Sequence, residues 1–314
     1  MKKYAFGVDI GGTTVKIGLF ETAGMLLEKW EIPTEKEECG SHILKDIAGA
    51  INQKIMDKCI NAQDIEGIGL GVPGPVLADG TVQQCVNLGW GVFNVEQELE
   101  KLTGLRVSTG NDANVAALGE MWQGGGKGYE NIVMVTLGTG VGGGVIIDGK
   151  VISGVFGAGG EIGHIKVNPG ETDYCNCGKQ GCLEQHSSAT GLVKDTKKLL
   201  ESVEEDSVLR EIDNITAKEI LDAAKAGDKI AVRAVEQMCN YLGLALSYIS
   251  CTCDPQAYVI GGGVSKAGTI LTDAIQKYFR QYAFHASEKA EFALAELGND
   301  AGIYGSVKLL LTRE

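Results

Sequence analysis

The sequence predicts a two-lobed α/β protein, and three observations carry that prediction. Its 314 residues exceed what one compact core usually serves. A short apolar strand that breaks into a Gly/Thr turn and re-emerges as a second strand occurs at 4–20 and again at 132–147, as though each lobe were built on the same unit. Between and after these units, segments with apolar residues every three or four positions read as helices covering the sheets. The expected division is a smaller lobe of residues 1–115 plus 301–314 and a larger lobe of 116–300.

In the first lobe, Tyr4 to Val8 is a buried strand entering the turn Asp9-Ile10-Gly11-Gly12-Thr13-Thr14, and Lys16 to Phe20 completes a hairpin. The turn presents successive N–H groups and two hydroxyls, which makes it a phosphate cradle with Asp9 beside the accompanying metal. By itself it is a weak signal, because it has neither the Walker spacing nor G-x-G-x-x-G. Residues 42–60 carry Ile43, Ile47, Ile51 and Ile55 at helical spacing and read as core. Ile65 to Val72 is a strand running into Pro73-Gly74-Pro75, with a further turn at Asp79-Gly80. Asn87-Leu88-Gly89-Trp90 is a loop that brings one amide and one indole near the strand ends, although a loop asparagine is most often a turn former. Leu105 to Ser108 leads into Gly110-Asn111-Asp112-Ala113-Asn114 and an alanine-rich helix through Glu120. Asp112 therefore stands at a strand-to-helix turn, where either it or Asn111 can simply cap the helix or can serve chemistry. Three glycines at 124–126 mark a break, and the lobe boundary is expected between Asp112 and this run.

In the second lobe, Ile132 to Leu137 breaks into Gly138-Thr139-Gly140-Val141-Gly142-Gly143-Gly144 and resumes at Val145 to Ile147 before the hairpin turn Asp148-Gly149. Two such turns in one chain make a nucleotide held between two lobes the leading idea. Further on, His164, Cys175, Cys177 and Cys182 fall in one short span, with Gly178 and Gly181 allowing the tight turns between the last two thiols. That set fills a tetrahedral zinc site completely, so the metal is read as structural, against the plainer alternative of reduced thiols in a loop. A metal here would fix two flanking acids, Glu161 and Glu184, as a polyhydroxylated ligand requires. Residues 189–200 and 216–225 read as helices, and Val232, Val235, Met238, Leu242, Leu246 and Ile249 as the buried face of a long one. Tyr258 to Ile260 is a strand ending in Gly261-Gly262-Gly263, a third glycine turn at a strand end, where open α/β sheets place ligands. Gly302 to Leu311 is a closing helix that returns to the N-terminal lobe.

Composition narrows the function classes. An apolar share of 44% and a charged share of 22% fit a globular protein. A net charge of -13 with no basic stripe argues against nucleic acid as a partner, and an anionic ligand would have to be held by backbone N–H groups and a metal cation. Nine cysteines, with Cys39, Cys59, Cys85 and Cys239 in no framework spacing, fit a reducing cytoplasm, and Cys251 and Cys253 read as buried thiols. Met1-Lys2-Lys3 opens like a signal peptide, yet Asp9 and the glycines break the apolar run, so neither a secretion signal nor a membrane span is expected.

Taken together, DIGGTTVK at 9–16, VPGPV at 72–76, NLGW at 87–90, NDANVAALGE at 111–120, TLGTGVGGG at 136–144, GGEIGH at 159–164, CNCGKQGCLE at 175–184 and VIGGGVS at 259–265 span nearly the whole chain. In order and spacing they resemble the ROK sugar kinases, and within that family the bacterial glucokinases, on the actin-like, hexokinase-like (ribonuclease H-like) ATPase fold. The resemblance implies that Asp112 is the general base for the sugar's 6-hydroxyl and that Asn111, Glu161, His164 and Glu184 bind sugar hydroxyls, with Gly74 and Asn87 nearby. It also implies that ATP phosphates lie at Asp9, Gly11, Gly12, Thr13, Thr14 and Lys16 and at Gly138, Thr139, Gly140 and Gly142, with adenosine near Gly261, Gly262 and Gly263. Mg²⁺ would accompany ATP, Zn²⁺ would sit on His164, Cys175, Cys177 and Cys182, and a cytoplasmic homodimer or homotetramer is implied. His186, Ser187 and Ser188 depart from the aromatic and small residues expected after Glu184. The family also holds sugar-responsive repressors, which carry a helix-turn-helix ahead of the first glycine motif. Here that motif begins within ten residues of Met1 and the charge is negative, so a kinase for glucose or a related hexose (mannose, fructose, N-acetylmannosamine) is the expectation.

Overall fold

The structure, a computed structural model, describes residues 2–313, so Met1, where the reading of the N-terminus starts, lies outside the described residues. The chain forms two compact units. The first holds the residues up to Glu130, Gly144–Gly160 and Leu297 onward; the second holds Asn131–Gly143 and Glu161–Glu296.

The first unit is built on a five-stranded sheet in the order Leu26–Pro33, Thr14–Glu21, Tyr4–Ile10, Ile65–Val72, Val107–Asn111. The first three strands are an antiparallel meander, and the last two join Tyr4–Ile10 in parallel. Alternation along Tyr4–Ile10 sorts the faces. Phe6, Val8 and Ile10 enter a core with Ile43, Ile47 and Ile51 of the helix Ile43–Asp57, while Ala5 packs with Ile303, Val307 and Leu310 of the helix Ala301–Thr312. That closing helix lies against the sheet because glycines admit it. A Cβ at Gly69 would stand 1.8 Å from the Ser306 carbonyl oxygen, and one at Gly7 2.1 Å from that of Ile303. The same helix packs along Asp112–Gln123, which keeps the chain in the first unit past residue 115 and on to Glu130. The strand Leu26–Pro33 has no counterpart in the sequence reading, because its residues alternate between half-buried and exposed and no long apolar run marks it.

In the second unit Ile132–Leu137, Ala257–Gly261 and Glu291–Leu294 run parallel, and the first residues of Val141–Ile147 flank Ile132–Leu137. The long helix Lys229–Cys253, capped by Asp228 through the N–H groups of Ile230 and Ala231, buries Met238, Leu242, Leu246 and Ile249 as its rhythm predicts, while Val232 and Val235, nearer its start, are only half-buried. One expectation is corrected here. Cys251 is exposed and Cys253 only half-buried, since they occupy the last turn, where the helix is ending at the left-handed Asp254, and the Cys253 thiol donates to the Ile249 carbonyl at 3.3 Å. Among the described residues no helix is long and apolar enough to cross a membrane.

Candidate active site

In the first unit, Tyr4–Ile10, Ile65–Val72 and Val107–Asn111 are parallel, with Asp9 opposite Gly71 and Val72 opposite Asn111. Their carboxyl ends therefore bring Asp9, the Gly74 loop and Asn111-Asp112 to one edge of the sheet, the edge at which such sheets bind ligands. The question of the cap has a definite answer. Asn111 is the N-cap of Asp112–Gln123, its Oδ1 accepting from the N–H groups of Ala113 and Asn114, while its Nδ2 donates to the Gly74 carbonyl at 3.3 Å. Asp112 is left in the first turn, where its Oδ1 accepts from the Ala113 N–H at 2.8 Å. Asn87 is exposed on a short 3₁₀ turn, whereas Trp90 is buried and spends its indole N–H on the Gly40 carbonyl, so it belongs to the core.

Burial pushes the Asp9 carboxyl up to about 6, the nearby charge of Asp112 adds to this, and Lys16 opposes it. The Gly302 backbone presses against Asp9, since a Cβ there would lie 2.5 Å from its carboxyl. The turn after Asp9 is held from outside the motif: Thr34 donates its N–H to the Thr13 carbonyl at 2.9 Å and its hydroxyl to that of Gly11 at 2.8 Å. Gly12 and Thr13 remain exposed. Lys16, expected at the phosphates, donates to the Asn299 carbonyl at 3.0 Å.

In the second unit the turn at 138–143 is anchored on the start of the helix Ala189–Ser202, with Ala189 N–H donating to Gly138 O and the Thr190 hydroxyl to Thr139 O. Glu184 lies over this turn. One carboxylate oxygen accepts the Val141 N–H at 3.1 Å and occupies the space a Cβ at Gly140 would need, while the other is 3.7 Å from the Cys175 sulfur. Gly163 lets the 161–164 segment pack on Val141 O, which sets Glu161 and His164 beside the same turn.

His164, Cys175, Cys177 and Cys182 offer ligand atoms that all lie within 4.8 Å of one another. Cys177 and Cys182 sulfurs are 3.6 Å apart, and Cys175 Sγ is 3.8 Å from His164 Nδ1. Ligands about 2.3 Å from a tetrahedral centre are separated by about 3.8 Å, so the set fits a zinc ion. Burial pushes the Cys182 thiol up to about 12 and the Cys175 thiol above its usual range, while the Lys179 N–H draws exposed Cys177 down. A cation at the centre is what would make all three thiolates together. His164 Nδ1 faces the thiols, while Nε2 points elsewhere, 3.9 Å from Glu161. Behind the loop His186, the departure noted in the sequence, is buried, with Nδ1 2.7 Å from Asp195 and Nε2 3.5 Å from Glu171, and stacks on Tyr241. It supports the loop from within.

The second unit also contains a cavity of about 560 Å³ whose walls include Gly138, Thr139, Thr216, Leu221, Gly263 and Val264. Gly138, Thr139 and Gly263 are residues for which the resemblance implies a nucleotide, whereas Thr216 and the helix Ala217–Lys225 carry no such sign in the sequence, because that helix has the ordinary amphipathic pattern and nothing local marks the face that meets the cavity.

Strand-end carboxylates, two glycine turns and a Cys₃His loop are thus assembled in the two units, and a family model matches the chain that carries them. The model of the ROK family covers residues 5–313, and the chain belongs to that family. It is 43% identical over 317 residues to a glucokinase of Halalkalibacterium halodurans, covering 99% of this chain and 96% of that one. Among solved structures it is similar to a ROK hexokinase from Thermus thermophilus, with a TM-score of 0.82 and 32% identity over 98% of this chain and 97% of the other. It is likewise similar to a ROK family glucokinase from Streptomyces griseus in complex with glucose and AMPPNP, with a TM-score of 0.73 and 34% identity over 98% of each chain. The fold is thus the hexokinase-like one, and the family's kinases phosphorylate sugars.

Proposed function

We propose that this protein transfers the γ-phosphoryl group of ATP to the 6-hydroxyl of glucose. The observation that supports it most is Asp112, a carboxylate in the first turn of a helix at the end of a parallel strand, with Asp9 close enough for the two charges to interact. Asp112 accepts the proton of the 6-hydroxyl as that oxygen attacks the γ-phosphorus in line; the new O–P bond forms as the bond to the β-phosphate oxygen breaks, and ADP leaves. Asp9 would hold the magnesium that arrives with the nucleotide, whose contribution is to neutralise phosphate oxygens. The turns at 11–14 and 138–142 offer backbone N–H groups to the phosphates, and the 560 Å³ cavity beside Gly263 is of a size for adenosine.

Sugar hydroxyls fall to Asn111, Glu161, His164 and Glu184, with Gly74 and Asn87 at the margin. Zinc would be held by His164, Cys175, Cys177 and Cys182 and would supply rigidity, leaving His164 Nε2 to donate to a sugar oxygen. Asn111 has Oδ1 committed to the helix cap, so its contribution is through Nδ2. The enzyme acts in the cytoplasm as a homodimer or homotetramer, which sedimentation would establish.

The test is ADP release from Mg-ATP by zinc-loaded protein offered glucose, mannose, fructose, N-acetylmannosamine or no sugar. Turnover confined mainly to glucose supports the proposal. Turnover mainly with another sugar keeps the chemistry and changes the substrate, a choice that rests on single hydrogen bonds. No turnover with any sugar rejects the kinase reading.

A further inference from the structure

We infer that Lys36, a residue outside every glycine motif, is a phosphate-binding residue that takes the terminal phosphoryl group of ATP at the Gly11–Thr14 turn. The inference rests on the kinase reading above. After the edge strand Leu26–Pro33, Thr34 is tied twice to the turn through the carbonyls of Gly11 and Thr13. Lys36 follows two residues later and is thereby carried over Gly12, so that a methyl added at Gly12 would stand 3.6 Å from its Nζ. Both Gly12 and Lys36 are exposed.

Three further observations point to an anionic ligand beneath that ammonium. Lys16, the lysine inside the motif, is committed to the Asn299 carbonyl at 3.0 Å. Lys36, although flanked in sequence by Glu35, Glu37 and Glu38, makes no ion pair and no side-chain hydrogen bond among the described residues. The edge itself carries two carboxylates, Asp9 and Asp112. A triphosphate brought to two carboxylates in a chain of net charge -13 needs a cation besides magnesium. Because Asp112 acts at the phosphoryl group being transferred, the phosphate on its unit's turn is the terminal one. During transfer Lys36 stays protonated and neutralises charge on the moving group, with no proton exchanged.

The experiment compares wild type, Lys36→Ala, Lys36→Arg and Gly12→Asp as zinc-loaded enzymes, reading kcat and KM for Mg-ATP and for glucose and the affinities for ADP and a non-hydrolysable ATP analogue. Loss of one charge-assisted contact predicts that Lys36→Ala lowers kcat/KM for Mg-ATP about tenfold. Glucose KM should stay within about twofold, analogue affinity should fall while ADP affinity holds, and Lys36→Arg should recover much of the loss. A kcat/KM for Mg-ATP within about twofold of wild type in Lys36→Ala overturns the inference. Gly12→Asp separates the two levels: if it abolishes activity while Lys36→Ala does not, the turn binds phosphate without Lys36. If neither matters, the phosphate-turn reading goes as well.

Discussion

Replacing Asp9 with asparagine should make this protein more stable and less active at once. Burial and the neighbouring Asp112 raise the Asp9 carboxyl to about 6. An aspartate in the unfolded chain titrates near about 3.9, so the folded state holds its proton over about two units more and ionising it costs up to about 3 kcal/mol of stability. The sign follows from proton binding. Between about pH 4 and pH 6 the native state binds more protons than the unfolded one, so stability falls as pH rises through that window and levels off above it. Asp9→Asn keeps the shape and removes the charge. The urea midpoint of the ligand-free variant should therefore exceed that of wild type at pH 7.5, and the difference should shrink toward zero as pH falls to about 4. Its turnover with Mg-ATP should collapse, because the carboxylate that would hold the magnesium is gone. An asparagine variant that is less stable than wild type at pH 7.5, or equally stable at all pH values, would refute the reasoning.

Asp112→Asn should retain glucose binding by calorimetry and lose at least ~10²-fold in turnover, and near-normal turnover would exclude it as the base. Protein purified without chelator should contain about one zinc per chain by metal analysis. Chelation should lower the melting temperature and weaken glucose binding more than ATP binding, as Glu161, His164 and Glu184 lose their support. Gly305→Ala places a Cβ 1.6 Å from the Val115 carbonyl oxygen, in the helix that Asp112 begins. Overpacking of that kind costs about 1–3 kcal/mol, visible as a lower denaturant midpoint, and the displaced helix should reduce turnover as well.

Features whose information is local could be read from the residues alone. The Gly/Thr turns follow directly on their strands, the four candidate metal ligands sit in one short span with glycines at the turns between them, and the isoleucines of Ile43–Asp57 declare their buried face by period. The order of these motifs also carried the family resemblance along the chain. Tertiary structure decided what depends on neighbours distant in sequence. It assigned the helix cap to Asn111 and left Asp112 in the first turn, committed Lys16 to Asn299 and brought Lys36 over Gly12 through Thr34, and laid Glu184 across the 138–143 turn. It also recruited Thr216 and Leu221 to a cavity that no local pattern marks, and left Cys251 exposed at the end of a helix that is otherwise core. The division has one physical cause. Backbone turns and periodic burial are set by adjacent residues, whereas a side chain's partner is set by strand register and helix packing, which exist only once the chain has folded.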